Sequence, residues 1–148
     1  KWGYPYLTRE FFEVLQDTLP DKVVLVIATH DDRPIAGALN LKGAHALYGR
    51  NWGCNEDHPF LHFECCYYQA IEFAIAHGLQ TVEAGTQGPH KIQRGYLPTE
   101  TYSAHFIRHD GLRDAIARFC EEESREVDYE IAAYGEQSPF RRDENDQT

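Results

Sequence analysis

The side chains able to do chemistry crowd into one stretch of this chain, Tyr48 to Gly95. Cys54, His58, His62, Cys65 and Cys66 offer soft ligands within thirteen positions. A zinc site needs four ligands converging as a tetrahedron. His62 and Cys66 are spaced to share a helix face, yet no C-x2-C pair is present and the spacing fits no common finger. A metal-binding module through Cys54, His58 and His62 is the reading that keeps a metal. Buried structural cysteine is the plainer one, and no metal site is expected. A Cys66–His nucleophile is disfavoured, because a thiol inside an apolar helix is inert rather than activated.

A second group runs from Glu83 to Gly95. Its glycines allow close backbone approach or positive φ. Lys91 and Arg94 are three apart and can face one anionic or polarised group together. Cations so placed act on charge that develops in a transition state. His90 and Glu83 are titratable neighbours, and His105 is a further candidate base. Against this stands an ordinary surface loop with solvated charges. Arg50 could bind a carboxylate or phosphate, or pair with Glu64 or Glu83. Trp52 and Tyr67 could wall a pocket or pack in the core. Glu64, in a first helical turn, complements the helix dipole.

These residues must be positioned by regular elements. Thr8 is a plausible cap for a helix bearing Phe11, Leu15 and Leu19 on one face, stopped by Pro20. Val23 to Ala28 is continuously apolar and predicts a strand buried on both faces. Asp31–Pro34 predicts a turn, Ile35–Leu41 a second strand, Lys42–Gly43 a second turn and Ala44–Arg50 a third strand. A polar loop, Asn51 to Pro59, precedes a helix over Leu61–His77. There Phe63, Tyr67, Ala70, Ile71 and Ala74 share a face, and Gly78 suits the position just past the end. A short strand is expected over Thr81–Ala84, a helical turn near His90–Gln93, a strand over Thr101–Ile107, and a helix from Leu112 to about Tyr134. The order predicts an α/β domain with a mixed, mostly antiparallel sheet flanked by helices. Residues 1–135 are expected to form the domain and 136–148 a polar tail.

The chain has 148 residues, 42% of them hydrophobic and 13% aromatic, which excludes a disordered chain. No apolar run approaches the ~20 residues that span a bilayer, and the N-terminus lacks an apolar signal region. Four cysteines without a scaffold spacing point to reduced thiols and a cytoplasmic location. The net charge is −10, of which −7 falls between Glu121 and Thr148. No basic stripe is visible, so duplex DNA is not an expected partner.

Several blocks in order carry a family resemblance. They are Lys1–Phe12, Ile35–Asn40, Leu47–Cys54 and Leu61–Glu72, then Glu83–Gly85, Gln87–Gly88, His90–Lys91, Arg94–Gly95 and Tyr102–His105. Together they resemble the FemAB-like proteins of peptidoglycan biosynthesis or recognition, over roughly residues 1 to 120. The resemblance implies a GNAT-like N-acyltransferase fold. It also implies the C-terminal half of a longer two-domain protein, whose N-terminal half is then an expected partner. In acetyl-CoA users of that fold, the helix after the meander receives the pyrophosphate at its N-terminus. Here that segment lacks the Gln/Arg-x-x-Gly-x-Gly/Ala signature of acetyl-CoA users, and its Glu56 and Asp57 disfavour a pyrophosphate.

In Fem-type aminoacyltransferases a Phe-Lys pair precedes a glycine after the corresponding strand, and His90-Lys91 with Gly95 occupies the similar place. Lys91 would then contact the donor or stabilise the tetrahedral oxyanion. The reading that follows is transfer of an acyl or aminoacyl group to an amine, a peptidoglycan precursor among the candidates. Lys91, His90, Glu83 and His105 are the expected catalytic residues. Arg50, Trp52, Tyr67, Gln87, Gly88 and Arg94 are the expected substrate contacts. No tightly bound cofactor is expected, the donor being acyl-CoA or aminoacyl-tRNA. The alternative is a non-catalytic GNAT-like domain that binds a cell-wall or peptide ligand or pairs with a partner domain.

Overall fold

A computed structural model describes residues 7–85 and 88–140. The chain divides into two compact units, Lys1–Thr86 and Gln87–Thr148. Among the described residues the first unit begins with helix α1 (Arg9–Thr18), then a short 3-10 turn at Pro20–Lys22. Three strands follow, β1 (Val23–His30), β2 (Arg33–Lys42) and β3 (Ala46–Cys54). A helical run comprises α2 (Leu61–Phe63), a π-helical stretch (Glu64–Tyr68) and α3 (Gln69–Ala76), and β4 (Thr81–Glu83) closes the unit. The four strands form one sheet in the order β1-β2-β3-β4. The first three are an antiparallel meander, and β4 runs parallel to β3. The expected α/β class and mixed sheet are present.

The turns follow from local chemistry. Asp31 and Asp32 both take positive φ, 50° and 60°, as a tight two-residue hairpin turn requires. Pro34 sits where the β1–β2 register shifts, between Ala28 and Thr29, a place where a missing ladder N–H is tolerated. Gly78, at φ 65°, ends the helical run as anticipated. The helical run packs on the sheet through Cys65, Tyr67, Ala70 and Ala74. With Ile35, Ala36, Ala38, Leu39, Ala46 and Leu47 these make the core, and Leu47 is fully buried.

Three expectations need correction. β1 is not buried on both faces, since Leu25 and Ile27 are 59% and 56% exposed. A continuous apolar run shows that a strand forms but not which faces are covered, and β1 lies at the edge of the sheet. β3 runs to Cys54 rather than stopping at Arg50, because Ala36–Leu39 of β2 pairs with Asn51–Cys54. The polar loop is correspondingly shorter. Thr101–Ile107 forms no strand. Its alternating Tyr102 and Phe106 are 88% and 92% exposed. Alternation says which side chains share a face, but no neighbour supplies a ladder there.

The second unit holds a 3-10 helix (Pro89–Arg94) and the long helix α4 (Asp110–Gly135). His109 caps α4, its Nδ1 accepting from the Leu112 amide at 3.2 Å. The apolar residues Leu112 and Phe119 of α4 are exposed, as are Phe12 and Val14 of α1.

Candidate active site where strands β3 and β4 part

The first unit places its unusual residues where the parallel pair ends. β4 stops at Glu83, opposite Tyr48, whereas β3 continues to Cys54. Between these points β3 bulges. Asn40 pairs with Gly49 and Leu39 with Asn51, leaving Arg50 as the extra residue. Bulges of this kind re-aim side chains and end pairing, and they are common beside active sites. The chains run close together here: a Cβ at Gly49 would stand in ordinary contact, 3.4 Å from the Glu83 carbonyl oxygen and 3.8 Å from Ala84 Cα.

A cavity of about 160 Å³ lies at this point. Arg50, Trp52 and Tyr67 line it, as do Asn40, Asn51, His62, Cys66 and Ala84. Three of the expected substrate contacts are therefore brought together. Tyr67 is also core, at 4% exposed, so its two readings are one. Arg50 is exposed and forms no ion pair with Glu64 or Glu83. Glu83 is exposed at the end of β4, and its neighbour Ala84, not Glu83 itself, lines the cavity.

The polar groups at the cavity are more numerous than the sequence suggested. Asn40 is 1% exposed, and its amide donates only long bonds, 3.4 Å to the Ala38 carbonyl and 3.5 Å to Val24. Asn51 Oδ1 is buried and has no hydrogen-bond partner among the described residues. A buried acceptor of this kind carries a desolvation penalty that an incoming N–H group relieves. The His62 ring meets Trp52 edge-on, centroids 5.3 Å apart, and Tyr67 edge-on at 5.5 Å. The π-helical stretch explains why one helical face presents so much. In an α-helix, positions i and i+5 diverge by about 140°. The i→i+5 winding from Glu64 to Tyr68 brings Tyr67 round toward His62. Such π segments occur frequently at functional sites.

Cys66 also borders the cavity, but burial, with the neighbouring Cys65, pushes its thiol up to about 12. A thiol raised in this way is disfavoured as a nucleophile. The helix that follows has little to offer a pyrophosphate. Its first amides are engaged, Leu61 with the His58 carbonyl and both Phe63 and Glu64 with the Phe60 carbonyl. Phe60, before it, takes φ 67°.

The remaining candidates belong to the second unit. His90, Lys91 and Arg94 share the 3-10 helix, with Gly88 before it and Gly95 after it, at φ 109° and 86°. A Cβ at Gly88 would meet the His90 ring, and one at Gly95 the Phe140 ring. The Arg94 guanidinium donates to the His90 carbonyl at 2.6 Å. This tie closes the turn and sets the two cations on one short element. Lys91 is half-buried, and burial lowers its ammonium below the ordinary lysine range. His90 is exposed. His105 is exposed outside any regular element, its Nε2 3.0 Å from Ser103 Oγ. Gln87 lies outside the described residues.

Sequence reasoning missed Asn40 and Asn51, and it read His62 as a metal ligand rather than as a residue of this cavity. An Asn inside the apolar run Ile35–Leu41 was the available signal for the first. The bulge that turns Asn51 inward, and the π winding that joins His62 to Tyr67, leave no mark in composition or spacing.

A family model, FemAB-like, described as peptidoglycan biosynthesis/recognition, matches residues 1–142. No curated protein and no solved structure matches the chain.

Proposed function

Because this chain belongs to the FemAB-like family, whose theme is peptidoglycan, we propose that it transfers an acyl or aminoacyl group to an amine of a cell-wall precursor, on a GNAT-like fold. The parting of β3 and β4 carries this reading. It creates a cavity floored by buried amides and walled by aromatic rings, at the carboxyl end of a parallel strand pair. Open α/β sheets bind ligands outside such ends. The mixed topology, meander then helix then parallel strand, supports the GNAT-like assignment.

In the proposed reaction the substrate amine attacks the carbonyl carbon of the activated donor. A C–N bond forms, the carbonyl pair moves onto oxygen, and collapse expels the donor's thiol or alcohol. Asn51 Oδ1 is suited to accept from the amine or a neighbouring peptide N–H. His62, Glu83, His90 and His105 are the candidate proton acceptors, and of the two in the first unit His62 borders the cavity. Lys91, by resemblance, steadies the oxyanion, with Arg94 beside it on the same turn. A group that stabilises charge only as it develops raises turnover rather than ground-state affinity. The engaged amides at Leu61, Phe63 and Glu64, together with Glu56 and Asp57, argue that the donor is not held by a pyrophosphate at that helix start.

The reading is tested by incubating the chain with a peptidoglycan-precursor peptide and either acyl-CoA or aminoacyl-tRNA, and weighing the peptide by mass spectrometry. A mass gain equal to the acyl group, on an amine, is expected. Saturable binding of the peptide with no mass gain from either donor would instead establish the non-catalytic recognition domain.

A further inference from the structure

A second group of side chains, none of which lines this cavity, lies where β1 enters its turn. We propose that His30, Glu56 and His58 bind one divalent transition-metal ion of the zinc class. His30 is the last residue of β1, immediately before the tight turn at Asp31–Asp32. Glu56 and His58 lie just beyond the end of β3. The Asn55 amide donates to the Ile35 carbonyl at 2.7 Å, fastening that segment to β2. The three side chains therefore converge from the end of β1 and from the segment that follows β3.

The distances suit a metal. Glu56 Oε2 is 2.9 Å from His58 Nε2 and 3.3 Å from His30 Nδ1. One ligand atom from each of the three residues lies within 4.8 Å of the other two. Metal–ligand bonds of about 2.0–2.1 Å in tetrahedral array place ligand atoms roughly 3.3 Å apart. The His30 and His58 rings meet edge-on, centroids 5.6 Å apart, and each presents a nitrogen to the shared carboxylate. Both imidazoles lie at hydrogen-bond distance from the Glu56 carboxylate, and an ion bound by the three residues would take the place of the shared protons. Asp31 Oδ2 lies 3.9 Å from the other ring nitrogen of His30, on the side where ligating imidazoles commonly meet a carboxylate.

Two imidazoles and one carboxylate suit zinc, cobalt or iron(II) rather than calcium or magnesium. Three protein ligands leave at least one position for water or an anionic oxygen. His30 and His58 also line a cavity of about 570 Å³ with Ile35, Phe60 and Tyr68, so an ion held by them borders an apolar space. Cys54 and His62, the other ligands suggested by the sequence, are not part of this group. His62 lies instead at the cavity between β3 and β4.

The test is equilibrium dialysis of the whole chain against Zn²⁺, with bound metal measured by elemental analysis. Visible absorption of the Co²⁺-loaded chain gives a second readout. One equivalent per chain is expected, with cobalt bands typical of a low-coordinate nitrogen–oxygen site. Glu56→Gln, His30→Ala and His58→Ala should each weaken binding by at least about tenfold, while Cys54→Ser retains it. The three ligands are all more than a third exposed, so these changes leave the core intact, which circular dichroism verifies. Failure of the wild-type chain to take up either ion overturns the assignment, as does unchanged binding in Glu56→Gln and His30→Ala.

Discussion

Single residues here are informative mainly through their surroundings. Cys66 and Cys54 are both cysteines near histidines, yet Cys66 is half-buried with a thiol pushed up to about 12, and Cys54 is exposed. Thiol-reagent titration of the folded chain should therefore label Cys54 and Cys120 rapidly, with Cys65 and Cys66 reacting only on unfolding. Rapid labelling of Cys66 would revive it as a nucleophile. Lys91 has its ammonium lowered from 10.5 by burial. If it steadies the oxyanion, turnover is supported while it is protonated and declines as pH rises through that lowered value. The alkaline limb of the rate profile should then begin below the range of an exposed lysine, and Lys91→Arg should displace it upward. The linkage to stability has the opposite sense. The unfolded chain holds this proton more tightly, so the Lys91 contribution to stability improves with pH between the lowered value and 10.5. A thermal-unfolding series across that window, compared with Lys91→Met, checks the sign.

At the scale of elements, what could be read from sequence was whatever a single segment determines. The helix from Leu61, its end before Gly78, a turn beginning at Asp31 and the strand at Thr81 each have local causes, and each is present, although the turn spans only Asp31–Asp32 of the expected Asp31–Pro34. Features that depend on a partner were not legible. The extension of β3 to Cys54 rests on pairing with β2, and the lack of a strand at 101–107 rests on the lack of a neighbour. The site shares this limit. Arg50, Trp52 and Tyr67 were recognisable by type, whereas Asn51 and His62 depend on a bulge and a π winding. Two substitutions test the framework that holds them. Leu47→Ala empties a fully buried leucine position and should destabilise the fold by about 2–5 kcal/mol in denaturant unfolding. Gly95→Ala forces a side chain into φ 86° and against the Phe140 ring. It should destabilise the second unit by about 1–2 kcal/mol, and an unchanged unfolding midpoint would show that the cap is dispensable.

For the whole molecule, charge and exposed apolar surface set the terms of any encounter. Most of the −10 charge lies from Glu121 onward, so the segments bearing the candidate residues are close to neutral. No helix among the described residues is long and apolar enough to cross a membrane. Donor binding should then vary little between about 50 and 200 mM salt, whereas a donor gripped through many phosphates loses about a thousandfold or more over that range. The salt dependence of the donor KM separates the two cases. The central claim is that the cavity at the parting of β3 and β4 is where substrate sits. Ala84 lines it without belonging to the buried core, so Ala84→Leu obstructs about 160 Å³ of space while sparing the fold. The decisive measurement is the rate of acyl transfer to the precursor peptide by this variant, with its melting temperature recorded alongside. The account predicts loss of transfer by at least about tenfold, or about 1.4 kcal/mol, at a near-native melting temperature. A wild-type rate in Ala84→Leu would contradict it.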